Sequence, residues 1–166
     1  MGINETTTRT PYVAVVGPGI ASTEEEALAE EVGEQLARAG AVVVCGGSTG
    51  VMEGVSRGAE GEGGTVVGIL PGFDRAEANP HVTIAIPTGM GEMRNALIAR
   101  AVDVMIAIGG EFGTLSEIAF ALKIGKPVVG LRTWDLVRRG ELIEGITPAH
   151  TPAQAVDLAL DLAVSG

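Results

Sequence analysis

Short runs that are apolar from end to end, separated by helix-length segments, constrain this chain more than any other feature. They are YVAVVG (12–17), AVVVC (41–45), TVVGIL (65–70), VTIAIP (82–87), DVMIAI (103–108) and PVVGL (127–131). A strand with one wet face alternates apolar and polar residues; a run without alternation belongs to a strand covered on both faces. The intervening segments carry helix signals. Ser22 or Thr23 with Glu25 or Glu26 forms a capping box that opens a helix to about Ala39. Further helical stretches run from Val51 to about Glu60, over 89–101 and over 114–123. Thr151-Pro152-Ala153-Gln154 caps a last helix over 152–164, with proline at its first position. Strands alternating with helices in this way predict a parallel β-sheet of about six to seven strands with helices on both faces. The segment 132–146 has no readable period. Residues 1–10 read as a flexible tail and 11–166 as a single domain.

With 46% hydrophobic but only 3% aromatic residues, the core has to be built from Val, Ile, Leu and Ala. The net charge of −10 argues against non-specific binding to nucleic acid polymers or anionic membranes, which needs Lys and Arg against phosphate. A small anion held by backbone amides and one arginine stays open. A single cysteine excludes an internal disulfide and a multi-cysteine zinc site. Cys45 ends an apolar run and reads as a buried small hydrophobe. His81 and His150 read as loop residues, and no metal site is expected. Without a secretory signal or a membrane-length apolar run, the expected location is the cytoplasm.

The glycine clusters follow the first, second and fifth strands, so all three fall on the carboxyl edge of the sheet, where such folds bind ligands. The first is Gly17-Pro18-Gly19, close to the dinucleotide pattern GxGxxG. The second strand, however, ends in Cys45-Gly46-Gly47 and not in the acidic residue that would hold a ribose, which argues against an ordinary NAD-dependent dehydrogenase. The second cluster, Gly46-Gly47-Ser48-Thr49-Gly50, offers amides and hydroxyls to an anion or a ribose but lacks the lysine of a P-loop. The third is AIGGEFGTLSEIAFAL (107–122), with Gly109, Gly110 and Gly113 ahead of Thr114 and Glu117. Thr114-Leu115-Ser116-Glu117 is itself a capping box, which would fold Glu117 back onto the Thr114 amide. A capping box leaves the three glycines unexplained; a phosphate or similar anion approaching the backbone accounts for them. Arg94 follows the Pro87–Gly91 loop and would face the same crevice as Glu117.

Together these residues resemble the LONELY GUY (LOG) family, often labelled lysine decarboxylase-like, within the SLOG group of Rossmann-like nucleotide binders. Its hallmark is PGGxGTxxE, preceded by a helix with an Arg-Lys pair. Gly109, Gly110, Gly113, Thr114 and Glu117 follow that hallmark, read with Ile108 in place of the proline. Met93-Arg94 keeps the arginine and Asn95 replaces the lysine. GGSTGVMEG (46–54) resembles the family's second glycine segment, and the order of motifs holds from about residue 12 to 131. The resemblance implies a Rossmann-like fold and a nucleoside 5′-monophosphate phosphoribohydrolase needing no cofactor. Arg94 and Glu117 would be its catalytic pair, and Gly17, Gly19, Gly46, Gly47, Ser48, Thr49, Gly109, Gly110, Gly113 and Thr114 would bind the ligand and its phosphate. It equally brings in a short sister branch of molybdenum-cofactor carriers, with a phosphate-bearing pterin as cargo, and non-catalytic nucleotide sensors. The hydrolase is the first reading and the carrier the second. The resemblance also implies a homodimer or higher homo-oligomer. A pyridoxal-dependent lysine decarboxylase is excluded, because Lys123 and Lys126 lie away from the glycine edge.

Overall fold

The computed structural model describes residues 9–165. The strands are β1 (Tyr12–Val16), β2 (Val42–Cys45), β3 (Val66–Leu70), β4 (Ile84–Pro87), β5 (Val104–Ile108) and β6 (Val128–Leu131). β7 (Val137–Arg138), β8 (Glu141–Leu142) and β9 (Ile146–Ala149) follow. The α-helices are α1 (Thr23–Arg38), α2 (Val51–Gly61), α3 (Asn95–Ala101), α4 (Phe112–Lys123) and α5 (Pro152–Val164). Seven strands form one parallel sheet in the order β4-β3-β2-β1-β5-β6-β9, and β7 and β8 pair as a separate antiparallel ribbon. This is the expected Rossmann-like α/β sheet. The ribbon comes from the segment that showed no period, and the seventh strand, β9, begins at its last residue and runs beyond it. Of the expected tail, residues 1–8 lie outside the described residues, and Arg9 pairs with Asp103 at 3.4 Å.

The apolar runs are buried for the predicted reason. Val13, Val15, Val104 and Ile106 pack under α1, α2 and α5, while Ala14, Val16, Met105 and Ala107 pack under α3 and α4. Ser22 is the N-cap of α1. It accepts from the Glu25 amide at 3.1 Å while Glu25 accepts from the Ser22 amide at 2.8 Å, so the first capping box is present. Thr151 caps α5 as expected, accepting from the Gln154 amide at 3.2 Å. Residues 89–101 begin as a 3-10 turn (Gly91–Arg94) and become α-helical only from Asn95. Cys45 is fully buried, and burial pushes its thiol up from its ordinary value, which suits a core residue.

α1 and α2 cross unusually closely, through glycines on both helices. A Cβ on Gly33 would meet the Val55 carbonyl oxygen at 2.2 Å, and one on Gly58 the Glu30 carbonyl oxygen at 1.9 Å. Gly61, at the end of α2, has open space instead. Two substitutions in one helix therefore carry opposite signs. Gly58→Ala should lower the unfolding free energy by about 1–3 kcal/mol through overpacking. Gly61→Ala should leave it unchanged or raise it by up to about 1 kcal/mol. Urea midpoints compare the two directly.

Candidate functional site

β1 is the point at which the sheet reverses its winding, with β2 on one side and β5 on the other. Loops leaving adjacent strands in opposite directions open a crevice beyond their carboxyl ends. The three glycine clusters leave β1, β2 and β5, so they border that crevice.

Several of its glycines are explained by packing alone. A Cβ on Gly17 would fall 2.5 Å from the Ile108 carbonyl oxygen, which locks the first loop to the end of β5. Gly46 lies under Arg94, whose Nη1 would stand 2.2 Å from an added Cβ. Gly47 has φ of +73° and its Cα side faces Leu70. Gly50 abuts the Pro18 and Gly19 carbonyls, and the Thr49 hydroxyl donates to the Gly19 oxygen at 2.7 Å. The first and second loops are thus one unit. Gly19 has ordinary contacts only, and the Ser48 carbonyl accepts from Asn79 Nδ2 at 2.9 Å.

The start of α4 is different. The expected capping box at Thr114 is absent: the helix begins two residues earlier, with Glu111 as N-cap and no side chain capping it. Glu117 is in the helix interior and does not fold back. The physical reason lies in the glycine turn, where Gly109 takes φ of +59° and lets the chain enter helical geometry at Phe112. The alignment to the LOG hallmark changes as well. Ile108–Glu117 is ten residues long, one more than the hallmark's pattern. Aligned on Gly113-Thr114 and Glu117, the proline's place falls on Gly109 and the second glycine's on Glu111.

An uncapped helix start presents free amides and the positive end of the helix dipole. At α1 the same feature is closed by Ser22 and Glu25, with Glu24, Glu25 and Glu26 in its first turn. At α4 it is open, with no acidic residue in the first turn. A Cβ on Gly113 would meet nothing within 4 Å, so no protein packing requires glycine there. Thr114 is 2% exposed, yet its hydroxyl has no hydrogen-bond partner. Unpaired buried polar groups are uncommon in folded proteins and call for an explanation.

Arg94 and Glu117 lie near enough for the guanidinium charge to act on the carboxyl. Arg94 Nη1 donates to the Ile69 carbonyl at 2.7 Å and the Gly46 carbonyl at 2.9 Å, which fixes the guanidinium across the ends of β2 and β3. Its Nε is buried and unpaired. Glu117 is 7% exposed, and burial raises its carboxyl to about 8, partly opposed by the attraction of Arg94 and reinforced by the repulsion of Glu92. The two do not form a direct ion pair among the described residues.

Asn95 is a positioning residue that motif reading passed over. Buried between α3 and α4, it donates from Nδ2 to Ser116 Oγ at 2.9 Å, and Ser116 Oγ donates to the Gly113 carbonyl at 2.7 Å. The residue after Arg94 is thereby tied to the first turn of α4. The only signal in the sequence was its departure from the Arg-Lys pair. Thr133 and Trp134, beside Gly110, were missed altogether. Both have a buried polar atom without a partner.

Sheet, switch point and open helix start define a Rossmann-like protein whose crevice can receive an anion. The chain belongs to the SLOG cluster4 family, which it matches over residues 10–156. The molybdenum cofactor binding protein of Rippkaea orientalis superposes with a TM-score of 0.84 at 35% identity, covering 93% of this chain and 98% of that one. The molybdenum cofactor carrier protein of Chlamydomonas reinhardtii gives 0.83 at 33% identity, covering 94% and 99%. A probable cytokinin riboside 5′-monophosphate phosphoribohydrolase of Oryza sativa subsp. japonica is 39% identical over 93 residues. That match spans 54% of this chain and 38% of the rice protein. The relation to LOG-type proteins is thus confirmed, at partial coverage.

Proposed function

We propose that this protein binds a phosphorylated pterin of the molybdenum-cofactor type in the crevice and holds it without cleaving it. The observation that carries this reading is the full-length likeness to two molybdenum-cofactor proteins, at 35% and 33% identity over 93% and 94% of this chain. Burial raises the Glu117 carboxyl to about 8, which favours the protonated form at neutral pH; that form cannot act as a general base, although a raised carboxyl also suits a general acid. The same carboxylic acid can donate a hydrogen bond to a ligand oxygen. The open start of α4 would take the phosphate, with the Thr114 hydroxyl and Arg94 Nε, both buried and unpaired, as further donors. Gly113 leaves open space for a ligand to approach this backbone, whereas the space beside Gly109 is taken by the Glu25 carboxylate and that beside Gly110 by Trp134; the loops after β1 and β2, with Gly17, Gly19, Gly46, Gly47, Ser48 and Thr49, would form the opposite wall. The full-length likeness to molybdenum-cofactor binding proteins supports this order of preference, which reverses the one drawn from motifs.

The phosphoribohydrolase remains the second reading, supported by the proximity of Arg94 to Glu117, the pair that the LOG resemblance implies. One experiment separates the two. Incubation with AMP and with isopentenyladenine riboside 5′-monophosphate should release no free base above a Glu117→Gln control, followed by chromatography. Release by the wild type that the control lacks would make the protein a hydrolase.

A further inference from the structure

The chain has one tryptophan and three phenylalanines, and it does not place all of these rings in its core. Phe112, the first residue of α4, is 81% exposed and stands against Trp134, with ring centroids 6.0 Å apart and planes tilted by 30°. Beside this pair, next to the open helix start, lies a pocket of 330 Å³ lined by Gly109, Gly110, Arg132, Thr133, Trp134 and Asp135. Pockets of this size suit a small ring system. Its polar groups are of both kinds. The Trp134 indole N–H and the Thr133 hydroxyl are buried and unpaired donors, while Asp135 is exposed and brings a carboxylate with no ion-pair partner among the described residues. Arg132, by contrast, is engaged with Glu24. The indole nitrogen comes so close to the turn that a Cβ on Gly110 would lie 2.5 Å from it. Gly110 is therefore a glycine for Trp134.

We infer that this pocket holds the ligand's flat ring and selects a 2-amino-4-oxopyrimidine edge, the edge shared by pterins and guanine. The ring stacks on Trp134, which lines the pocket and is backed by Phe112. Its adjacent ring N–H and amino N–H then donate side by side to the two oxygens of Asp135, a bidentate, charge-assisted arrangement. Adenine presents a ring acceptor where that edge presents a donor, so it meets the carboxylate with a lone pair facing a negative charge. The assignment rests on the proposed phosphate site, because the phosphate at Gly113 and Thr114 is what brings the ring to Trp134.

Calorimetric titration of the full chain with ribose 5-phosphate, AMP, GMP and 6-hydroxymethylpterin phosphate tests it. GMP and the pterin phosphate should bind at least tenfold more tightly than AMP, and the tighter of the two identifies the source of the edge. Asp135→Asn should remove most of that preference and leave ribose 5-phosphate affinity within about twofold. In the wild type, ring-bearing ligands should quench the single Trp134 fluorescence, and ribose 5-phosphate should not. If ribose 5-phosphate binds but Asp135→Asn and Trp134→Phe leave the preference unchanged, the ring assignment is wrong and the phosphate site stands. If no phosphorylated compound binds, both fall.

Discussion

Replacing Gly113 by aspartate is expected to weaken binding of the phosphorylated ligand at least a hundredfold while making the fold slightly more stable. The two effects have one cause. Gly113 occupies the first turn of α4, has open space where a side chain would go, and sits at a helix start that no side chain caps. A carboxylate there interacts favourably with the dipole, by about 0.3–1 kcal/mol, and aspartate's helix penalty is smaller than glycine's by roughly 0.3 kcal/mol. That same carboxylate takes the position proposed for the phosphate and repels it. A melting temperature a few degrees higher, together with lost binding by calorimetry, is the expected pair of results. Unchanged binding would move the anion away from α4.

The second large effect is a pH-dependent stability difference between the wild type and Glu117→Gln. The Glu117 carboxyl is raised from its ordinary value of 4.5 to about 8 in the folded protein. The folded state therefore holds its proton more tightly than the unfolded chain does. This contribution is fully present below about pH 4.5, is lost as pH rises, and is gone above about 8. Glutamine is close in size and does not titrate. The variant should match the wild type near pH 4.5 and gain on it up to about pH 8, by a few kcal/mol. Melting curves at pH 5, 7 and 9 measure the gap. A gap that does not change with pH would mean that Glu117 is ionised in the fold, and it would return the hydrolase to first place.

The architecture was legible because strands buried on both faces leave an unambiguous mark. AVVVC and DVMIAI admit no amphipathic reading, and the glycines after them placed the crevice on the correct edge. The cap of α1 was legible for the same local reason, since Ser22 and Glu25 satisfy each other within four residues. At α4 an equally good pattern, Thr114 to Glu117, misled. The capping box competes with a turn that begins earlier, and Gly109 and Glu111 decided the outcome through backbone geometry. Gly17, Gly46 and Gly50 show a further limit. A sequence marks a glycine but not whether a ligand or a neighbouring carbonyl fills the space beside it. The contribution of Thr133 and Trp134 could not be read at all. It depends on β6 delivering its following loop next to β5, a neighbour relation set by strand order across the sheet.

The most direct measurement is the pterin content of the protein purified from a host that makes molybdenum cofactor, read by fluorescence after acid oxidation. The wild type should release pterin in proportion to protein, and Gly113→Asp close to none. Equal background from both, with free base released from nucleoside monophosphates by the wild type, would contradict the carrier reading.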